Sequence, residues 1–203
     1  MKYNNESRQL KAEKTKIRIY KSGEYLFETK GYTAVSVDAI VTHAKVSKGS
    51  FYQHFESKGT LFAQLILQKT SNVDLKYTAC LQSLPVETSC KDKLLALTDT
   101  ISHVLVNDIG IPKMRILYQT QLTEPMIADI VSGYQRTLYK LIIDVLEEGC
   151  HIGEFKEGHS PAQLAKYLMT AYRGITYECC LRYPDFDFKE QMRAFIQLLI
   201  EGL

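Results

Sequence analysis

The sequence predicts an all-α protein of about nine helices, and three observations carry this prediction. Apolar residues recur at helical spacing almost throughout the chain, no segment shows the alternation of a half-buried strand, and glycine, proline or capping residues separate the apolar stripes. With 203 residues, 45% hydrophobic and 24% charged, the composition is that of an ordinary globular protein. Disordered and coiled-coil classes are therefore disfavoured.

Four helices are expected at the N-terminal end. The first ends near Lys30, because Gly31 and Tyr32 interrupt an apolar stripe that includes Ile19. The second and third helices are short, and the third runs to about Phe55. Each helix after the first begins at a serine whose hydroxyl is suited to capping. These N-caps are Ser36, Ser47 and Ser57.

Five further helices complete the predicted fold. Breaks at Leu84-Pro85 and Gly110-Ile111-Pro112 bound the fifth helix, and a sixth follows the second break. The segment from Met126 to Glu148 keeps its apolar register longest, and a glycine-marked loop follows it. The last two helices are separated by Pro184. The first of them begins with the capping box Ser160-Pro161-Ala162-Gln163, and the residues expected to be buried by the second are Met192, Phe195, Ile196, Leu199 and Ile200.

Charge is unevenly distributed along the chain. Residues 1–60 hold 11 Lys or Arg and 6 Asp or Glu, a net charge of +5, whereas the remainder hold 14 and 17, a net charge of −3. A basic segment on an acidic body is typical of a polyanion-binding module, and chance clustering is the alternative. The polar N-terminus lacks a signal-peptide core and no apolar run reaches ~18 residues, so we expect a cytoplasmic protein without a membrane segment.

The second and third helices are joined by a short turn around Ala44-Lys45-Val46, which predicts a helix-turn-helix. Phe51 and Phe55 are the expected inward anchors of the third helix. Its other residues offer a cation and an amide for base edges, with hydroxyls and an imidazole for phosphates. An ordinary helical hairpin with a polar face is the alternative. The residues expected to face outward are Lys48, Gly49, Ser50, Tyr52, Gln53 and His54.

Residues from about Thr15 to Leu67 resemble the DNA-binding domain of the TetR family of bacterial transcriptional regulators. The specific part is the block VSKGSFYQHF from Val46, followed by Ser57-Lys58. Two positions depart from the family pattern. Lys45 stands where glycine is common in the turn, and Glu24 stands where leucine is common in the first helix.

The resemblance implies DNA contacts residue by residue. It implies phosphate contacts from Ser36, Tyr52, His54 and Lys58, and base or base-adjacent contacts from Lys48, Gly49, Ser50 and Gln53. Two of these residues have ordinary alternatives, since Tyr52 is also a candidate core aromatic and Lys58 a candidate solvated lysine. The basic run Arg8, Lys11, Lys14 and Lys16 is either an arm along the DNA backbone or a solvated tail.

For the whole chain, the resemblance implies a DNA-binding domain at residues 1–60 and a ligand-binding and dimerisation domain at residues 61–203. The expected protein is a homodimeric repressor, released from a palindromic operator in double-stranded DNA by a small-molecule effector. The last two helices are the expected dimer contact, with internal core packing as the alternative. No ligand-binding residue is assigned, because tyrosines at helical spacing form a plain core as readily as a pocket. The tyrosines are Tyr118, Tyr134, Tyr139, Tyr167, Tyr172 and Tyr177.

The sequence gives little support for a metal site, a disulfide framework or a catalytic site. The five cysteines are odd in number, show no CxxC pair and lack metal-ligand spacing. We assign no catalytic residue, metal or cofactor. A thiol-based electrophile or redox sensor of the same fold is an alternative carried by Cys179-Cys180, although we expect these thiols to be inert and buried, with Arg182 the nearest cation in sequence. A helical small-molecule enzyme is a more distant alternative.

Overall fold

The computed structural model describes residues 2–123, 137–156, 158, 160–182 and 185–202. Within these ranges the chain forms nine α-helices and no strand, which confirms the predicted all-α class. The described residues divide into two compact units. The first contains the chain up to Gln68 together with Thr123, and the second contains the remainder.

The first unit is built from helices α1 (Lys2–Lys30), α2 (Val37–Ala44) and α3 (Lys48–Tyr52) with the first part of α4 (Lys58–Ser83). Gly31 ends α1 as predicted, in the left-handed conformation with φ 79°. A Cβ on Gly23 would lie only 2.6 Å from Leu61 Cδ2, so this glycine allows α1 and α4 to approach closely. The fully buried large side chains of this unit are Ile19, Ile40, Phe51, Phe55 and Leu61.

The second unit contains the rest of α4 and helices α5 (Cys90–His103), α6 (Ile111–Thr123), α7 (Thr137–His151), α8 (Pro161–Arg182) and α9 (Phe188–Glu201). Helix α5 packs against α7 and α9, and α8 packs against the same two helices. One apolar core runs through these contacts. Its fully buried large side chains are Leu94, Leu97, Ile142, Leu146, Met192 and Ile196.

Most predicted boundaries are close to the observed ones. Helix α4 ends at Ser83, before Leu84-Pro85, and the Ser160 hydroxyl accepts the backbone N–H of Gln163 at 3.3 Å. The capping box is only half formed, because the Gln163 amide donates to the Tyr167 hydroxyl at 2.9 Å instead of turning back. Residues 126–136 of the predicted long helix, and Pro184, lie outside the described residues.

Three expectations were wrong in detail. The third helix ends at Tyr52, so Gln53 and His54 lie in the turn that follows. Helix α5 continues as an unpredicted π-helix over Val104–Ile109, whose wider hydrogen-bonded rings leave no mark in the apolar spacing. Phe195 was expected to be buried but is 42% exposed, because the inward face of α9 is occupied by Met192, Ile196 and Ile200.

No single helix among the described residues is long and apolar enough to cross a membrane. The bent pair Cys90–Ile109 and Ile111–Gln119, at 89° to each other, meets the length and composition requirement only when taken together.

Candidate nucleic-acid interface

Helix α2 begins and ends on side-chain hydrogen bonds. The Ser36 hydroxyl accepts the backbone N–H of Ala39 at 3.1 Å, which confirms the predicted N-cap. At the other end, the Arg18 guanidinium donates to the carbonyl oxygens of Ala44 and Lys45, the second at 2.9 Å. Arg18 therefore ties α1 to the C-terminal end of α2, where free carbonyls favour a cation.

The turn between α2 and α3 keeps the left-handed conformation that glycine commonly provides. Lys45 has φ 51° and ψ 51°, and its N–H bonds the carbonyls of Thr42 and Val41. A left-handed non-glycine residue costs about 1–2 kcal/mol, and the hydrogen bonds from Arg18 offset part of that cost. The departure at Lys45 thus leaves the path of the turn intact.

Helix α3 is short, and it is held by an N-terminal cap and by a buried inner face. The Ser47 hydroxyl caps it by accepting the N–H of Ser50 at 3.1 Å, and the two serine hydroxyls lie 2.8 Å apart. Phe51 and Phe55 are buried inward as predicted, with ring centroids 5.7 Å apart. Because these anchors fix the helix orientation, its remaining side chains lie on the outer surface.

The structure brings the predicted DNA-contacting residues of α3, and those of the turn that follows it, to one segment of surface. Lys48, Gly49, Tyr52 and Gln53 are exposed, while Ser50 and His54 are partly buried. Tyr52 is 51% exposed and packs edge-to-face on Phe51 at 5.4 Å, so it is not a core aromatic. Their individual DNA contacts stay predictions.

Lys58, at the start of α4, stabilises the turn that precedes α2. Its ammonium donates to the carbonyl oxygens of Tyr32 at 2.9 Å and Val35 at 2.8 Å, and it lies 4.1 Å from the centre of the Tyr32 ring. Partial burial lowers its pKa from the ordinary lysine value. Lys58 is therefore more than a solvated lysine, since it holds the turn that leads into Ser36.

Lys48 also has a partner that the sequence did not indicate. Its Nζ lies 2.9 Å from Oδ1 and 3.1 Å from Oδ2 of Asp38, in the first turn of α2. This hydrogen bond and the carboxylate charge raise the pKa of Lys48. Ten residues separate the two positions, and only the crossing of α2 and α3 brings them together.

The basic run at the N-terminus is helical in this structure. Lys11, Lys14 and Lys16 lie in α1, with Lys11 and Lys14 exposed. A contact of this segment with the DNA backbone stays a prediction.

In the second unit, two of the predicted tyrosines, Tyr118 and Tyr177, pack edge-to-face with ring centroids 5.5 Å apart. The Tyr172 hydroxyl is buried 2.8 Å from the Thr98 hydroxyl, Tyr139 donates to the Ala162 carbonyl, and Tyr118 donates to the Arg173 carbonyl. Tyr167 and Tyr177 are exposed. Tyr134 lies outside the described residues. These tyrosines therefore act mainly as core or surface residues, and none identifies a ligand.

An open groove of about 730 Å³ lies between α8 and α9. Ala171, Gly174 and Ile175 line it from α8, and Phe195 lines it from α9. A Cβ on Gly174 would meet nothing within 4 Å. Other large apolar side chains are exposed on the same two helices. They are Tyr167, Tyr177, Leu181 and Leu198.

The vicinal cysteines are buried as expected, and the cation whose charge acts on both thiols is Arg115. Arg182 pairs with Glu178 and Asp185, whereas Arg115 donates from Nε to the Cys180 carbonyl at 2.8 Å. Burial raises the pKa of Cys179 and, with the neighbouring Cys179, raises that of Cys180 to about 11, despite the opposing charge of Arg115.

A test of this thiol chemistry follows from the pKa of Cys180. At pH 8 only about one molecule in a thousand carries its thiolate, and this fraction rises tenfold with each pH unit below the pKa. DNA binding is expected to survive a maleimide or mild peroxide near neutral pH. The measurement is a DNA titration with and without the reagent, with Cys179→Ser/Cys180→Ser as control. Release from DNA in the native protein alone would show that the chain is a thiol sensor.

Among the described residues, no group of three or more His, Cys, Asp or Glu side chains is placed to hold a metal ion. The geometry available for function in the first unit is instead a capped pair of short helices, of which the second exposes a cation, an amide and hydroxyls.

Comparison with known proteins agrees with that geometry. Residues 19–65 match the family model described as bacterial regulatory proteins, tetR family. The chain is 25% identical to the HTH-type transcriptional repressor DhaR of Mycobacterium sp. (strain GP1), covering 91% of this chain and 90% of the relative. It is 27% identical to the HTH-type transcriptional regulator AcrR of Shigella flexneri, covering 94% and 89%.

A solved structure shows the same fold. Thermus thermophilus FadR, a TetR-family transcriptional repressor in complex with lauroyl-CoA, superposes with a TM-score of 0.75 at 18% identity, covering 93% of this chain and 94% of that one. The family match lies on the helix-turn-helix, and the curated relatives align along nearly the whole chain. This chain is therefore a DNA-binding transcriptional regulator, and its helix-turn-helix segment matches the TetR family of bacterial regulatory proteins.

Proposed function

We propose that the protein is a cytoplasmic repressor that binds a palindromic operator as a homodimer and has no catalytic activity. The observation that carries this proposal is the outer surface of α3 and of the turn after it, where Lys48, Tyr52 and Gln53 are exposed while Phe51 and Phe55 are buried. A helix presented in this way enters a major groove and reads base edges with its N-terminal residues. The relative DhaR is itself named a repressor.

We assign the proposed DNA-contacting residues to two roles: contacts with bases, which read the sequence, and contacts with phosphates, which position the protein. Lys48, Gly49, Ser50 and Gln53 are the proposed base or base-adjacent contacts. Ser36, Tyr52, His54 and Lys58 are the proposed phosphate contacts, and residues 1–60 form the proposed DNA-binding domain. Lys58 also holds the carbonyls that precede Ser36, so its contribution to DNA binding includes the placement of that N-cap.

Lys48 and Lys58 variants test this division. Lys48→Ala is expected to lose discrimination at one or two operator positions, by about 1–3 kcal/mol if Lys48 pairs with guanine. Lys58→Ala is expected to weaken binding to operator and scrambled DNA alike, and to lower the dependence of log K on log salt by about 1. Affinities for single-base operator variants and a salt series provide the readout. Equal effects of both substitutions on operator and scrambled DNA would contradict the division.

The proposed dimer contact is the surface of α8 and α9 in residues 61–203. Two features support it: the groove lined by Ala171, Gly174 and Phe195, and the large apolar side chains exposed elsewhere on the same two helices. Exposed apolar side chains on two neighbouring helices favour burial against a partner, and the charged residues that line the groove, Glu178, Arg182 and Asp185, pair with one another. A second copy of the chain is the proposed occupant, because two equal subunits match the two half-sites of a palindrome.

We further propose that a small molecule bound by the second unit releases the repressor from DNA. The solved relative of Thermus thermophilus holds lauroyl-CoA, which makes a fatty acyl thioester the first compound to test for its effect on operator affinity. A thiol-sensing regulator is less well supported, because Cys179 and Cys180 are buried and their pKa values are raised.

A further inference from the structure

The ion pair between α2 and α3 has an unusual position for a DNA-reading surface. Lys48 is the first residue of α3, and Asp38 is the second residue of α2. Both carboxylate oxygens lie within 3.1 Å of the Lys48 ammonium. The side chains are 53% and 71% exposed, so the pair stands at the surface and in water.

The Lys48–Asp38 pair is expected to contribute little to the stability of the fold. Exposed lysine–carboxylate pairs contribute little to folding, because water and salt screen the attraction and the side chains lose freedom. In a DNA-binding surface, however, an acidic group has a clear cost, since it repels phosphates and reduces the attraction of the lysine beside it. Residues 36–58 carry only one other acidic side chain, Glu56.

We propose that Asp38 is a specificity-determining residue that acts through Lys48. Its carboxylate holds the ammonium in one position at the N-terminus of α3 and offsets its charge toward the DNA backbone. This inference rests on the proposed role of α3 in reading DNA.

Two kinds of DNA contact respond differently to such a restraint. Attraction to phosphates is independent of sequence and depends on the net charge that the surface presents. A hydrogen bond to a base edge depends on where the ammonium lies. Offsetting the charge while fixing the position therefore weakens binding to arbitrary DNA more than binding to the operator, and the ratio of the two affinities rises.

Asp38→Asn separates these effects with little change in shape. The probes are a duplex enriched from a random pool by the wild-type protein and a scrambled duplex of the same composition. The variant is expected to bind scrambled DNA about tenfold more tightly at moderate salt, with the salt dependence steeper by about 1. Affinity for the enriched duplex is expected to change by less than about threefold, so the specificity ratio falls.

A second background shows whether Asp38 acts through Lys48. In Lys48→Met, Asp38→Asn is expected to change the affinity for scrambled DNA by no more than about twofold, because only screened repulsion of phosphates remains. Glu28→Gln is the matched control, since it removes one carboxylate from α1 and leaves the Lys48–Asp38 pair in place. It is expected to leave the specificity ratio unchanged, and thermal unfolding checks that each variant folds.

Two results would overturn the inference. One is a specificity ratio that Asp38→Asn leaves unchanged, and the other is an equal effect of Asp38→Asn with and without the Lys48 ammonium. If the proposed function itself is wrong, the result is different: the wild-type protein then shows no preference for the enriched duplex. That outcome would remove the basis of this inference as well.

Discussion

Phe195→Glu is expected to convert the dimer to monomers and to weaken operator binding by a factor on the order of 100 or more. Phe195 is 42% exposed within one chain and lines the groove between α8 and α9. A carboxylate placed there would be buried without a partner in the proposed dimer contact. Each monomer would then hold only one half-site, and the avidity gained by linking two half-sites would be lost.

Sedimentation and operator titration provide the two readouts for Phe195→Glu. The matched control is Leu75→Glu, which places the same charge at a 68% exposed leucine on α4. This control is expected to remain dimeric and to keep operator affinity. An intact dimer in Phe195→Glu would show that α8 and α9 do not form the contact.

Phe51→Ala is expected to destabilise the DNA-binding unit by about 3–5 kcal/mol, the usual cost of truncating a buried phenylalanine. Phe51 is fully buried, and its ring packs with those of Tyr52 and Phe55. A loss of this size is a large fraction of the stability of a small domain. Operator binding is therefore expected to fall with it, because α3 loses the anchor that orients its outer face.

Thermal unfolding and operator titration at several temperatures measure the effect of Phe51→Ala. Tyr25→Ala is the control, since it truncates an aromatic ring that is 54% exposed on α1 and stacks on His43. The control is expected to cost about 1 kcal/mol or less. Unfolding of Phe51→Ala at the wild-type temperature would contradict the anchoring role of Phe51.

Local chemistry made much of the helix-turn-helix predictable from the sequence. Ser36 and Ser47 cap the helices that follow them, since a hydroxyl before an apolar stripe has backbone N–H groups within reach. The four-residue spacing of Phe51 and Phe55 predicts that both lie inward, and both are buried although α3 ends at Tyr52. These features depend on neighbours within four residues, and the periodicity of one sequence reveals them.

Contacts between residues that are far apart in the sequence could not be predicted from it. Arg18 reaches Ala44 across 26 positions, and Arg115 reaches Cys180 across 65. The pairing of Lys48 with Asp38 depends on the crossing of two helices, which no spacing rule fixes. The exposure of Phe195 was not predicted for a related reason. The apolar stripe of α9 is wide enough to serve both the core and a surface contact, and the spacing alone does not show which residues are buried in the core.

Sequence-specific DNA binding by α3 is measured in a competition experiment with the wild-type protein. The protein is offered a random pool of duplexes, and its affinities for the enriched and scrambled duplexes are compared at physiological salt. We expect enrichment of a palindromic site with half-sites about 10 base pairs apart, bound at least ~1,000-fold more tightly than the scrambled duplex. Equal affinity for the two duplexes, or enrichment of no common sequence, would contradict this expectation.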